Sequence, residues 1–145
     1  MTIADPAKAP WHLWVAGVLS LLWNAFGAYD YLMSVTRNEA YLSQFPPAMI
    51  ALLDSFPAWA TAAWATGVWA SLAGSVLLLL RSRFAATAFA VSFVGALVSF
   101  AYQFTLPKPP ELSGGVYTIM PVIIMVVIAA QWYYASRLGT SHVLR

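Results

Sequence analysis

Asn24 and Asp30 place an amide and a carboxylate in a stretch that otherwise favours hydrocarbon, Trp23-Asn24-Ala25-Phe26-Gly27-Ala28-Tyr29-Asp30-Tyr31. Polar and ionisable groups in such a setting are costly, and they mark either a functional site or a joint between helices. Asn24 falls about halfway along the helix expected here, at the depth where an antiparallel neighbour presents Thr66 and Gly67. It reads as an interhelical hydrogen bond or as a polar rung in a solute path. Asp30 lies about one turn from the helix end, and Arg37 stands two turns further on if the helix continues. Tyr102, Gln103, Tyr117 and Thr118 share that outer level. Asp30, Arg37, Tyr102, Gln103 and Tyr117 therefore form the candidate constellation, either a salt-bridged cap on the bundle or a binding site.

Other chemistries fail on supply. Cysteine is absent, which removes disulfides, thiolate nucleophiles and cysteine-ligated metals. His12 and His142 are the only histidines, and neither falls inside a span, so no metal or haem site and no nucleophile–base pair is expected. No cofactor is expected, and the sequence reads as a non-enzyme. The net charge of +2 comes from basic residues scattered along the chain, which in sequence nowhere form the cluster that lipid headgroups or nucleic acid would want. The many Trp, Tyr and Phe suit membrane interfaces and packing beside small residues.

The elements that position these residues follow from composition. Of the residues, 61% are hydrophobic and 8% charged, against roughly 25% charged in soluble domains. Uncharged intervals run over 9–29, 40–53, 55–80, 84–107 and 112–136. All but the second approach or exceed the roughly 20 residues a span needs. The expected fold is an all-α bundle of four transmembrane helices at about 11–33, 57–80, 84–105 and 116–138, forming one domain over residues 1–145. Asp5 and Lys8 before the first apolar run argue for a retained span rather than a signal peptide. Pro47 predicts a short interfacial helix over 47–55 in the first outer loop.

Lys8, Arg81, Arg83, Arg137 and Arg145 fall on one side and Arg37 and Lys108 on the other. That bias places both termini in the cytoplasm. Span two carries small residues at Ala63, Gly67, Ser71, Gly74 and Ser75, and span three at Ala88, Ser92, Ala96 and Ser99. The Arg81-Ser82-Arg83 turn makes these two spans antiparallel neighbours, and small residues let such backbones approach closely. His142 falls in a tail expected to be mobile. Val122 to Ala130 reads as a lipid-facing wall, and Pro121, about one turn in, is expected to kink the helix or shift its effective start.

Trp23-Asn24, Gly27, Asp30-Tyr31, Phe56-Pro57-Ala58-Trp59 and the leucine run from Gly74 into Arg81 resemble a group of small four-span bacterial inner-membrane proteins. Members are mostly labelled hypothetical, occasionally as sugar transporters. The resemblance implies an inner-membrane location and supplies no functional residue. The expected function is that of a small accessory or structural subunit, with the bilayer and another membrane protein or a second copy as partners. The alternative is a transporter or channel for a small neutral or sugar-like solute, its path lined by Asn24, Asp30 and Gln103.

Overall fold

The computed structural model describes residues 7–145; Asp5 lies outside them. All regular structure among the described residues is helical. The elements are α1 (Trp11–Val35), α2 (Glu39–Leu42), α3 (Pro47–Asp54), α4 (Ala58–Leu79), α5 (Phe84–Thr105) and α6 (Gly115–Thr140), with a 3-10 turn at Pro110–Leu112.

Proline sets four of the starts. Pro10, Pro46, Pro57 and Pro109 each precede a helix with ψ between 148° and 160°. The missing N–H of proline does no harm at a helix start, where that donor would have no intrahelical partner. Left-handed residues set three of the ends. Arg37, Arg81 and His142 have φ of 57°, 58° and 59°. The residue after each returns its N–H to a carbonyl five residues back: Asn38 to Met33, Ser82 to Leu77 and Val143 to Leu138, at 3.0, 2.8 and 3.1 Å. This closure usually employs glycine, and a side chain in that conformation costs about 1 kcal/mol or more.

The helices pack in chain order, α1 on α4, α4 on α5 and α5 on α6. The segment from Ala7 into α1, the C-terminal residues 143–145 and the Arg81-Ser82-Arg83 turn share one end, here the terminus end; α2, α3 and the 3-10 turn occupy the other, the loop end. Closest approach is between α4 and α5. A Cβ built on Gly95 would lie 2.7 Å from the Gly67 nitrogen and 2.9 Å from the Ala63 oxygen, and one on Gly67 would lie 3.1 Å from the Ala96 nitrogen. Ser92 Oγ donates to the Gly67 carbonyl at 2.6 Å. Gly74 leaves room for the Phe89 ring, 2.9 Å from where its Cβ would sit.

The buried positions on α5 are Ala85, Phe89, Ser92, Gly95, Ala96 and Ser99. Ala88, expected in the stripe, is only half-buried. A strict four-residue spacing drifts about 40° per step around a 3.6-residue helix, so the packed face steps by four and three instead. This brings Ala85 and Phe89 inward at the level assigned to Ala88.

At the terminus end, Leu13, Leu78, Ala85, Phe89, Ala135 and Leu138 form one core, and Val143 and Leu144 plug into it. The tail holding His142 is therefore docked rather than loose. α1 and α6 meet here, through Leu13 and a hydrogen bond between His12 and Tyr134. Farther along, α6 shows no buried residue between Gly115 and Val127.

α4, α5 and α6 are each long and apolar enough to cross a membrane, and the chain is a multi-pass integral membrane protein on that basis. α1 has 25 residues, enough for a crossing, but Asn24, Asp30 and its Tyr and Trp rings lower its hydropathy.

Candidate functional site

Two polar joints hold α1, one within the bundle and one at the loop end. The first centres on Asn24, which is 5% exposed. Its amide Nδ2 donates to Ser75 Oγ at 2.7 Å and to the Ser71 carbonyl at 3.1 Å, while Ser75 Oγ donates in turn to the same carbonyl at 3.0 Å. Two serines one turn apart thus offer α1 a hydroxyl and a helix carbonyl together. The expected level opposite Thr66 and Gly67 is displaced by one to two turns. Matching helix ends gave that expectation, whereas the register is fixed by where the amide finds acceptors and where Gly17 admits Leu79. A Cβ on Gly17 would run into Leu79 Cδ2. Asn24→Leu is expected to cost about 0.6–2 kcal/mol, the range for interhelical hydrogen bonds in membranes, read as a lower melting temperature in detergent.

The second joint begins at Asp30, whose carboxylate accepts from the Tyr41 hydroxyl. Asn38 caps α2 by accepting from the Tyr41 N–H at 2.9 Å, which turns the Tyr41 ring back toward α1. There it meets Tyr29 edge-on at 5.6 Å and Phe45 at 5.3 Å. Burial first, then the hydrogen bond to Asp30, holds the Tyr41 phenol well above its usual range. Folding therefore tightens the grip on this proton. The docked loop is expected to be at full strength below about pH 10 and to loosen as pH rises further. The check is limited proteolysis of the 36–56 loop at about pH 9 and about pH 11, where Tyr41→Phe should abolish the pH-dependent part of the change.

Arg37 does not pair with Asp30. α1 ends at Val35, and the left-handed turn at Arg37 reverses the chain, so its guanidinium reaches Asp54 at the end of α3 at 2.7 Å. Both partners are well exposed, and such a pair contributes roughly 0–1 kcal/mol. Tyr102 lies elsewhere, against Phe56 at 5.6 Å and Trp59 at 5.0 Å, its hydroxyl 3.5 Å from the Ser55 carbonyl. Gln103 and Tyr117 are half-buried and make no side-chain hydrogen bond among the described residues. The five-residue constellation is thus divided into a tyrosine–carboxylate joint, a surface ion pair and an aromatic contact.

No family model, curated protein or solved structure matches the chain.

Tyr41, Asp54 and Gly95 were missed as partners. Tyr41 and Asp54 depend on how the loop folds back, which no helical spacing encodes. Gly95 had a signal, since it lies beside Ala96 in the small-residue stripe. No group of three or more His, Cys, Asp or Glu among the described residues is placed to hold a metal ion.

One concave surface lies within the membrane-crossing pair. Between α4 and α5 runs a shallow apolar groove of about 390 Å³, floored by Ala63, Thr66, Ala90 and Gly95 and walled by Val91 and Val94. α1 meets α4 through Ser71 and Ser75, and α6 meets α5 through Phe93, 5.7 Å from Trp132. On helical spacing the groove opens on the other side of the hairpin from both.

Proposed function

We propose that this chain is a small non-enzymatic membrane protein acting by lateral association, as an accessory or structural subunit of a larger membrane assembly. The observation that carries the reading is the α4–α5 groove. Its floor is made of Ala, Gly and Thr, the residue types that let transmembrane helices approach closely. It runs from Thr87 to Val98 along α5, about 16 Å at the helical rise, the length of a three-turn ridge on a partner helix. The stripe residues Gly67, Ser71, Gly74, Ser75, Ser92 and Ala96 are occupied within the chain, so association falls to the groove, whose floor includes the stripe residue Ala63.

The joints support the same reading. Asn24 and Asp30, two of the three groups expected to line a solute path, are each committed to a partner inside the chain. In this account α1 is the fourth crossing, with its amide and carboxylate satisfied by α4 and α2. Both termini then lie in the cytoplasm of a bacterial inner membrane, where Arg81, Arg83, Arg137 and Arg145 satisfy the positive-inside bias. α3 lies at the outer interface, and the outer half of α6 faces lipid.

The experiment is gentle detergent extraction from the native membrane, followed by sizing and identification of what co-migrates. A larger membrane protein in fixed ratio is expected, and Ala90→Leu, which fills the groove, should release it. Recovery as a monomer or homo-oligomer indifferent to Ala90→Leu overturns the reading. Solute uptake abolished by Asp30→Asn would replace it with transport of a small neutral or sugar-like solute.

A further inference from the structure

Folding gathers basic residues that are scattered in sequence. Arg81 closes α4 in the left-handed conformation, and its guanidinium reaches the carbonyl of Ala7 at 2.6 Å and that of Val143 at 3.0 and 3.1 Å. The backbone beside it is paired with the tail: Arg145 N–H donates to the Arg81 carbonyl at 2.7 Å, and Arg83 N–H to the Arg145 carbonyl at 2.8 Å. Lys8, Arg83 and Arg145 are thereby drawn from three separate segments to one point, and all three are exposed. Arg83 is held beside the exposed ring of Phe84, 5.3 Å from its centroid. The Arg81 guanidinium is spent on carbonyls, and no acidic side chain among the described residues pairs with the other three cations. Among the described residues the acidic side chains are Asp30, Glu39, Asp54 and Glu111, all toward the loop end.

We infer that Lys8, Arg83 and Arg145 form a binding site for the headgroup of an anionic phospholipid at the terminus end of the bundle. Basic residues at the ends of membrane-crossing helices sit at headgroup depth, and each contributes to the attraction of anionic lipid. A helix hairpin end supplies the fixed height; the docked tail supplies the third cation. The site requires only that the chain resides in a bilayer and is independent of any partner in the α4–α5 groove.

Native mass spectrometry of the full chain, offered equimolar phosphatidylglycerol and phosphatidylcholine, tests this. Preferential retention of phosphatidylglycerol is expected, reduced about fivefold by Lys8→Gln and about thirtyfold by Arg83→Gln with Arg145→Gln. Lys8→Gln lies outside the packed tail and guards against a folding defect in the double variant, whose melting temperature is measured alongside. Equal retention of the two lipids overturns the site, as does a preference that survives in a folded double variant. Loss of the preference on adding millimolar inorganic phosphate would assign the cations to a free anion and overturn the lipid headgroup.

Discussion

Gly95→Ala is expected to destabilise the protein by about 1–3 kcal/mol, the usual range for forcing extra volume into a packed contact. One methyl group suffices because its neighbours cannot yield. It would lie 2.7 Å from the Gly67 nitrogen and 2.9 Å from the Ala63 oxygen, both backbone atoms of a continuous helix, and 3.0 Å from Thr66 Cβ. α4 would have to move away from α5 along its length, breaking the Ser92–Gly67 hydrogen bond as it did so. Gly27→Ala is the matched control, since a Cβ there meets nothing within 4 Å; replacing this helical glycine should be neutral or stabilising by up to about 1 kcal/mol. The readout is the melting temperature of both variants in one detergent. A Gly95→Ala protein as stable as the parent would show that α4 and α5 do not approach as described.

Arg81→Ala is expected to release both termini from the bundle at a cost of about 2–4 kcal/mol. The guanidinium makes three hydrogen bonds to two carbonyls, and bonds from a charged donor contribute about 1.5–3 kcal/mol each without adding fully. Arg81→Gly separates this effect from backbone strain. Glycine accepts the left-handed φ of 58° at no cost, so it should be about 1 kcal/mol more stable than Arg81→Ala while still lacking the clamp. Hydrogen exchange at Val143 and Leu144, 7% and 5% exposed in the parent, is the direct measure. Both variants should exchange there much faster than the parent. Unchanged protection would mean that the apolar plug alone holds the tail.

The helices were legible because their signals are local. The proline at the start of α3, the charge-free intervals and the three-residue Arg81-Ser82-Arg83 turn all lie within a few residues of what they determine. Helix α3, expected over 47–55 and found at Pro47–Asp54, follows from one proline and one apolar run. The partners were less legible. Helical spacing puts Arg37 on a continuing helix above Asp30, whereas a single left-handed residue sends it to Asp54. Asn24 was assigned a level by matching lengths, yet a hydrogen bond to Ser75 at 2.7 Å and a close contact at Gly17 fixed the register. Tail docking was invisible for the same reason: Val143 and Leu144 look like any short apolar pair until Arg81 turns its guanidinium onto the Val143 carbonyl.

The central claim is that the polar residues of the crossing helices close a dry bundle rather than line a hydrated path. Because the chain has no cysteine, single-cysteine variants carry no background. The decisive measurement is labelling of Ser75→Cys and Ala28→Cys in intact membranes with a membrane-impermeant thiol reagent, with the exposed position Thr36→Cys as the reactive control. Ser75 is 0% and Ala28 6% exposed, and both variants are expected to stay unlabelled until the protein is denatured. Rapid labelling of either in the native membrane would reveal water reaching Asn24 or the level below Asp30, and would contradict the account.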